Sequence, residues 1–189
     1  ISEWFSQLDA PVAWLSLDTA DDDPARFLAY FVAALQKLDK TLGFELNSIL
    51  ETGQTLPPES IATILIADIL HLDRRLLMVL DDLQNIQERS ILELLAMLIT
   101  NLPSQLHLVI ITREDPLIPL ARLRANNQMT EIRAEDLRFT SSESEQFFLK
   151  TMGLALPEED LRILENRIEG WVAGLQLVGL SIYGRENPS

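Results

Sequence analysis

Five apolar residues in a row, Leu76-Leu77-Met78-Val79-Leu80, stand between the pair Arg74-Arg75 and the pair Asp81-Asp82. The run is too short for a buried helix. It has the length of a strand covered on both faces, which is the signature of a parallel sheet. Carboxylates at the carboxyl end of such a strand project into the crevice where open α/β sheets bind ligands. Two of them side by side suit a magnesium ion and the polarisation of a water, which is the form of a Walker B motif. The same two residues also suit a plain turn that caps the next helix, and the motif alone leaves both readings open.

The flanking sequence repeats the theme. Val12 to Asp18 follows Pro11, has strand character and again ends in acid. Asp23 is a good N-cap with Pro24 at the first helical position, so a helix is predicted from Pro24 to about Leu38 with Phe27, Phe31, Leu35 and Leu38 as its apolar stripe. The carboxylates Asp21 to Asp23 are read as this helix start in preference to a metal site. Residues 39–58 are loosely patterned, a loop with one short helix. Pro58 opens a helix with Ile61, Leu65, Ile69 and Leu72 on its buried face, and another spans Glu88 to Thr100. Leu106 to Thr112 is the next buried strand, with Arg113 directly beyond its carboxyl end. Leu120 to Asn126 gives a short helix and Met129 to Ala134 a last, alternating strand. Strands separated by helices argue for a parallel sheet with right-handed crossovers.

From Leu137 the period is helical throughout. Thr140 and Glu143 are spaced as a capping box for a helix through Phe147, Phe148 and Met152. Pro157 opens a second helix that Gly170 stops, and a third runs from Trp171 to about Tyr183, ahead of a polar tail that should fray. Trp171 is assigned to the core of this part. The expected organisation is an α/β domain over residues 1–135 and a helical, lid-like subdomain over 136–189. At the other end, Ile1 to Leu8 has the look of a helix tail, so the sequence is expected to open within an element.

Composition excludes some functions. The formal net charge is −14, which opposes a phosphate backbone, and no basic stripe with interleaved aromatics offsets it. The absence of cysteine rules out disulfides and thiolate metal sites and fits a cytoplasmic protein. No apolar run reaches membrane-spanning length. A hydrophobic content of 47% is enough for a real core.

Four stretches together resemble the ATPase module of MalT-type, LuxR-class regulators, a branch of the signal-transduction ATPases with numerous domains. They are Val12 to Pro24, Leu80-Asp81-Asp82, Val109 to Pro116, and Glu169-Gly170-Trp171-Val172-Ala173-Gly174-Leu175-Gln176-Leu177. The linking segments Pro119 to Ala125 and Ala134 to Thr140 are similar to that family as well. The resemblance implies a P-loop NTPase-like sheet with flanking helices, followed by a small helical subdomain. It makes Asp81 the magnesium-side carboxylate, Asp82 the acid that orients the attacking water, and Arg113 the sensor of the γ-phosphate. Phosphoryl transfer asks for these types, since it depends on positioning and on neutralising charge. An ordinary ion pair with Glu114 or Asp115 is the competing reading of Arg113.

One expected motif is missing. The family's Gly-x-x-x-x-Gly-Lys-Ser/Thr phosphate loop occurs nowhere in the 189 residues, so the backbone amides and the lysine that would cradle phosphates are not supplied by this chain. The resemblance places that loop and its strand before Leu8, so the chain is read as starting after the Walker A motif. It also implies ATP and Mg2+ as cofactors of the whole protein with none bound by this chain alone, an unidentified inducer, and DNA contact only through a C-terminal helix-turn-helix outside the sequence. The missing strand would lie between those at Leu106 and Met129, so either these two close on each other or chains self-associate through the exposed edges. The alternatives to a regulatory ATPase switch are an interaction scaffold without nucleotide, and, more remotely, a hydrolase built on Asp81, Asp82 and His107.

Overall fold

The computed structural model describes residues 10–186, so the helix tail read at Ile1 to Leu8 lies outside the described residues. The chain divides into two compact units, Ile1–Gln128 and Met129–Ser189. In the first, β1 (Val12–Ser16), β2 (Leu76–Asp81) and β3 (Leu106–Ile110) form a parallel sheet in the order β1-β2-β3. β2 is central, as its sequence requires, and Leu76 through Leu80 are all buried. The pleat divides them. Leu76, Met78 and Leu80 join the main core, whereas Leu77 and Val79 form a smaller cluster with Val12, Val109 and Ile111.

Parallel pairing requires crossovers, and the intervening chain supplies them as helices. Between β1 and β2 run α1 (Pro24–Leu38), α2 (Phe44–Glu51) and α3 (Pro58–Leu70), and between β2 and β3 runs α4 (Arg89–Thr100). Asp23 caps α1 by accepting the Arg26 N–H at 2.9 Å, with Pro24 at the first helical position. Phe27, Phe31, Leu35 and Leu38 are buried on its inner face, and the two phenyl rings stack at 5.7 Å. Each such side chain contributes about 1.5–3 kcal/mol of burial. α3 buries Ile61, Leu65 and Ile69 and packs against α4, which buries Ile91, Leu94, Leu95 and Leu98. A short helix α5 (Ala121–Ala125) follows β3.

The strand predicted at Met129 to Ala134 does not form. Ile132 is exposed, and the Arg133 N–H is taken by Asp136 Oδ2 at 2.7 Å, which starts a 3-10 turn over Ala134–Leu137. Alternation makes a strand only where a ladder receives it, and here local side-chain bonds satisfy the backbone instead. Closure of that segment on β3 is therefore not found. Among the described residues β3 pairs with β2 alone.

The second unit contains α6 (Ser141–Gln146), α7 (Glu158–Ile168) and α8 (Val172–Glu186) around Phe148, Leu154, Leu161 and Leu175. The Thr140–Glu143 capping box is present in both directions. The helix expected to reach Met152 changes to a π-helical turn over Phe147–Thr151. The wider turn sets Phe147 edge-on against Phe139 while Phe148 fills the core. α8 continues to Glu186, past the end expected near Tyr183. Trp171 is not core: it is 40% exposed with the Arg138 guanidinium over its ring at 5.9 Å. The left-handed Glu169 and Gly170 turn it outward, and Leu175 takes the buried position.

Candidate active site

The register brings the strand ends to one edge of the sheet. Ser16 lies beside Asp81 and Leu80 beside Ile110. The ladder runs past the strands themselves, with Leu17 N–H on Asp81 O at 2.9 Å, Ile111 N–H on Leu80 O at 2.8 Å and Leu83 N–H on Ile111 O at 3.2 Å. Asp81 is thus held by a strand on one side, and the turn after it is anchored to the exit of β3 on the other.

Asp81 Oδ1 accepts the N–H of Asp82 at 3.0 Å. Asp82 itself has φ 58° and ψ 40°, a left-handed conformation that costs a residue with a Cβ about 1–2 kcal/mol. The buried Leu83 is what holds it there, since its side chain is only 2% exposed and its N–H is tied to β3. Strain of this kind, over-determined by its surroundings, is common where a side chain must be aimed. Neither carboxylate caps α4. Glu88 does that, accepting from Ser90 N–H, although Asp82 does open the 3-10 turn Leu83–Asn85.

Arg113 follows the end of β3 and meets Asp82, with Nε 4.0 Å from Oδ1. Its side chain is 84% exposed, so the contact is a loose ion pair of small energy. A residue that sequence reasoning missed joins the two. Gln84 Nε2 donates to Asp82 Oδ1 at 2.8 Å and Gln84 Oε1 accepts the Arg113 N–H at 3.1 Å. Its neighbour Asn85 donates to Leu17 O at 2.9 Å, tying the turn to β1 as well. The polar pair directly behind Asp81-Asp82 was the available signal.

His107 is not part of this edge. It pairs with Leu77, four residues before Asp81 along β2, hence roughly 13 Å away at strand rise. The hydrolase reading loses its third member. Asp21 to Asp23 are occupied structurally. Asp21 accepts from Asp18 N–H and Arg26, Asp22 Oδ1 accepts from Gln87 and Glu88 N–H, and Asp23 is the cap.

The donor set fits half of a metal–nucleotide site. Asp81 and Asp82 are adjacent carboxylates, and the described residues include no group of three or more acidic, histidine or cysteine ligands. Magnesium is held in that way, by one or two carboxylates with substrate phosphates and water completing the octahedron. The phosphate-cradling amides are not in this sequence. Two shallow concavities of about 300 Å³ lie elsewhere, beside Glu59 and Thr63 on α3 and beside Phe139 and Lys150 in the helical unit.

A family model described as "NACHT domain" matches residues 11–154, most of the chain and all three site residues. The chain belongs to the NACHT domain family. As a NACHT domain it is a P-loop NTPase-fold, nucleotide-binding type of module, which agrees with the parallel sheet and with carboxylates at its carboxyl edge. Among curated proteins it is 29% identical over 186 residues to the serine/threonine-protein kinase PknK of Mycobacterium tuberculosis, covering 97% of this chain and 17% of that protein. It is also 29% identical over 181 residues to the HTH-type transcriptional regulator MalT of Yersinia enterocolitica, covering 96% of this chain and 20% of that protein. The MalT-type resemblance drawn from the motifs is thus matched along nearly the full chain. This NACHT domain spans a fifth or less of the length of these relatives. Among the described residues no helix is long and apolar enough to cross a membrane.

Proposed function

We propose that this NACHT domain is the Walker B and sensor portion of a regulatory ATPase switch in a LuxR-class, MalT-like transcriptional regulator. The observation that carries the reading is the joined edge Asp81, Asp82, Gln84 and Arg113, in which carboxylates and a guanidinium converge beyond two adjacent parallel strands. In this reading Asp81 takes the magnesium side and Asp82 orients water. Arg113, free to swing because it is largely exposed, answers the γ-phosphate. Bound Mg2+ and ATP would supply the reactive phosphoryl group and its charge neutralisation. The chain's own residues aim the carboxylates, hold the turn and present the guanidinium.

The switch reading has the nucleotide bias assembly, and thereby DNA binding by regions outside this sequence, as a population shift. Residues 1–135 would form the nucleotide-binding part and 136–189 a lid-like part. Self-association through the open edge of β3, an inducer sensed elsewhere and a cytoplasmic setting belong to the same proposal. A second reading is a scaffold without nucleotide.

Calorimetry with Mg-ATP separates them, run on the 189-residue chain and on a version extended upstream through a phosphate loop. Binding by the extended form alone, lost on Asp81→Ala where magnesium is required, is the expected result. Silence from both forms would leave the scaffold.

A further inference from the structure

Two loops meet at the carboxyl edge of the sheet, one after β2 and one after β3, and a single side chain bonds to both. Gln84 gives its Nε2–H to Asp82 and takes the Arg113 N–H on Oε1, at 2.8 and 3.1 Å. A primary amide presents donor and acceptor in one rigid plane, so moving either end moves the other. The base of the side chain is fixed, because Leu83 before it is buried and bonded to Ile111 O. The direct alternative is weak: the guanidinium of Arg113 stands 4.0 Å from Asp82 and is mostly in solvent.

We propose that Gln84 is the positioning residue of this edge, a latch that couples the state of the Asp82 carboxylate to the main chain at Arg113. While Asp82 accepts from Gln84, the Arg113 segment is held. A ligand that draws the carboxylate away removes one anchor of the amide and loosens the other. The nature of that ligand, magnesium with a phosphate group, rests on the function proposed above. The coupling itself does not.

Amide hydrogen exchange at Arg113, resolved by NMR on the 189-residue chain, tests the latch. Gln84→Met keeps side-chain length and removes both polar ends, and the Arg113 amide is expected to exchange roughly three- to tenfold faster, the equivalent of one hydrogen bond. Asp82→Ala is expected to give a comparable rise, although that carboxylate does not itself accept from the Arg113 N–H. The double variant should exceed neither single one. Arg113→Gln, which deletes the ion pair and keeps the main-chain bond, should leave the rate as it was. Rates are compared as protection factors, each against the intrinsic rate of its own sequence, and the amide of Val79 in the middle of β2 reports separately whether global stability has changed.

An Arg113 amide indifferent to Asp82→Ala, or independent effects that multiply in the double variant, overturns the proposal. No nucleotide enters these measurements. Failure of Mg-ATP to bind leaves the coupling standing, and failure of the coupling leaves the nucleotide question to calorimetry.

Discussion

Asp21 accepts a 2.8 Å hydrogen bond from Arg26 Nε while its own side chain is only 5% exposed, against 43% for the arginine. The same carboxylate takes the Asp18 N–H at 2.9 Å, so one buried group closes the turn after β1 and meets the first turn of α1. The arginine is held more firmly protonated by that hydrogen bond. The burden of the pair is unequal. Asp21→Ala strands two donors and should destabilise the first unit by about 1–3 kcal/mol in urea melts. Arg26→Ala should cost less, because the Asp21 carboxylate keeps the Asp18 N–H as a donor whereas Asp21→Ala removes both bonds. Equal costs would contradict this division.

The acid limb of stability should divide by unit. Glu143 is held below the ordinary carboxylate range by the Thr140 N–H and then by the Thr140 hydroxyl. Asp39 is lowered by the Thr41 hydroxyl and N–H first, with Arg74 adding to it. A carboxyl group whose folded pKa is depressed contributes stability above its unfolded value, about 4, and loses it as pH falls through the lower folded value. Glu143→Gln should therefore flatten the pH dependence of the helical unit below about pH 4, and Asp39→Asn that of the α/β unit. Exchange protection followed from neutral to acid pH reads each unit separately.

Which features could be read from the chain follows from where the determining contacts lie. β2 was legible because five apolar residues between charges are a local fact, and α1 because its cap, its proline and its stripe are all contiguous. Asp81, Asp82 and Arg113 were legible as a set only through strand ends. The bond partner that joins the last two, Gln84, was passed over: its polar side chain beside the acids was a signal, but the bond that links it to Arg113 spans 29 residues and runs to a different strand's exit. Met129 to Ala134 misled for the converse reason: alternation is local, but a strand needs a neighbour. Trp171 misled because a large aromatic side chain says nothing of the left-handed turn before it.

Ser144 offers a test of the helical core. It is fully buried, and among the described residues its hydroxyl has no hydrogen-bond partner. A buried hydroxyl without a partner costs its desolvation, and alanine is the better helix former. Ser144→Ala is expected to raise the stability of this unit by about 1 kcal/mol in thermal or denaturant melts. A loss of similar size would mean that the hydroxyl is satisfied in solution.

Gly170 sits at φ +74°, and a Cβ there would clash with Phe139 O. Its carbonyl accepts the Phe139 N–H at 2.8 Å, so the approach of these two backbones ties the entry of α6 to that of α8. Gly170→Ala meets both the left-handed penalty and a backbone clash, and should cost more than about 2 kcal/mol. Gly53, with the same sign of φ and open space where a Cβ would stand, is the control. Gly53→Ala should cost only the conformational part, about 1–2 kcal/mol.

At Asp82 the conformational term is separable from the chemistry. The residue is left-handed, so replacing it by glycine relieves the backbone, and replacing it by alanine does not. Both substitutions remove the carboxylate and its bond to Gln84. Asp82→Gly should therefore be more stable than Asp82→Ala by about 1 kcal/mol. On the proposed role both variants lose ATP hydrolysis in an upstream-extended form of the chain. The strain sits at a residue type that tolerates the left-handed region better than most, and its carboxylate is bonded to Gln84 there. Equal melting midpoints for the two variants would show that the strain is not stored at Asp82.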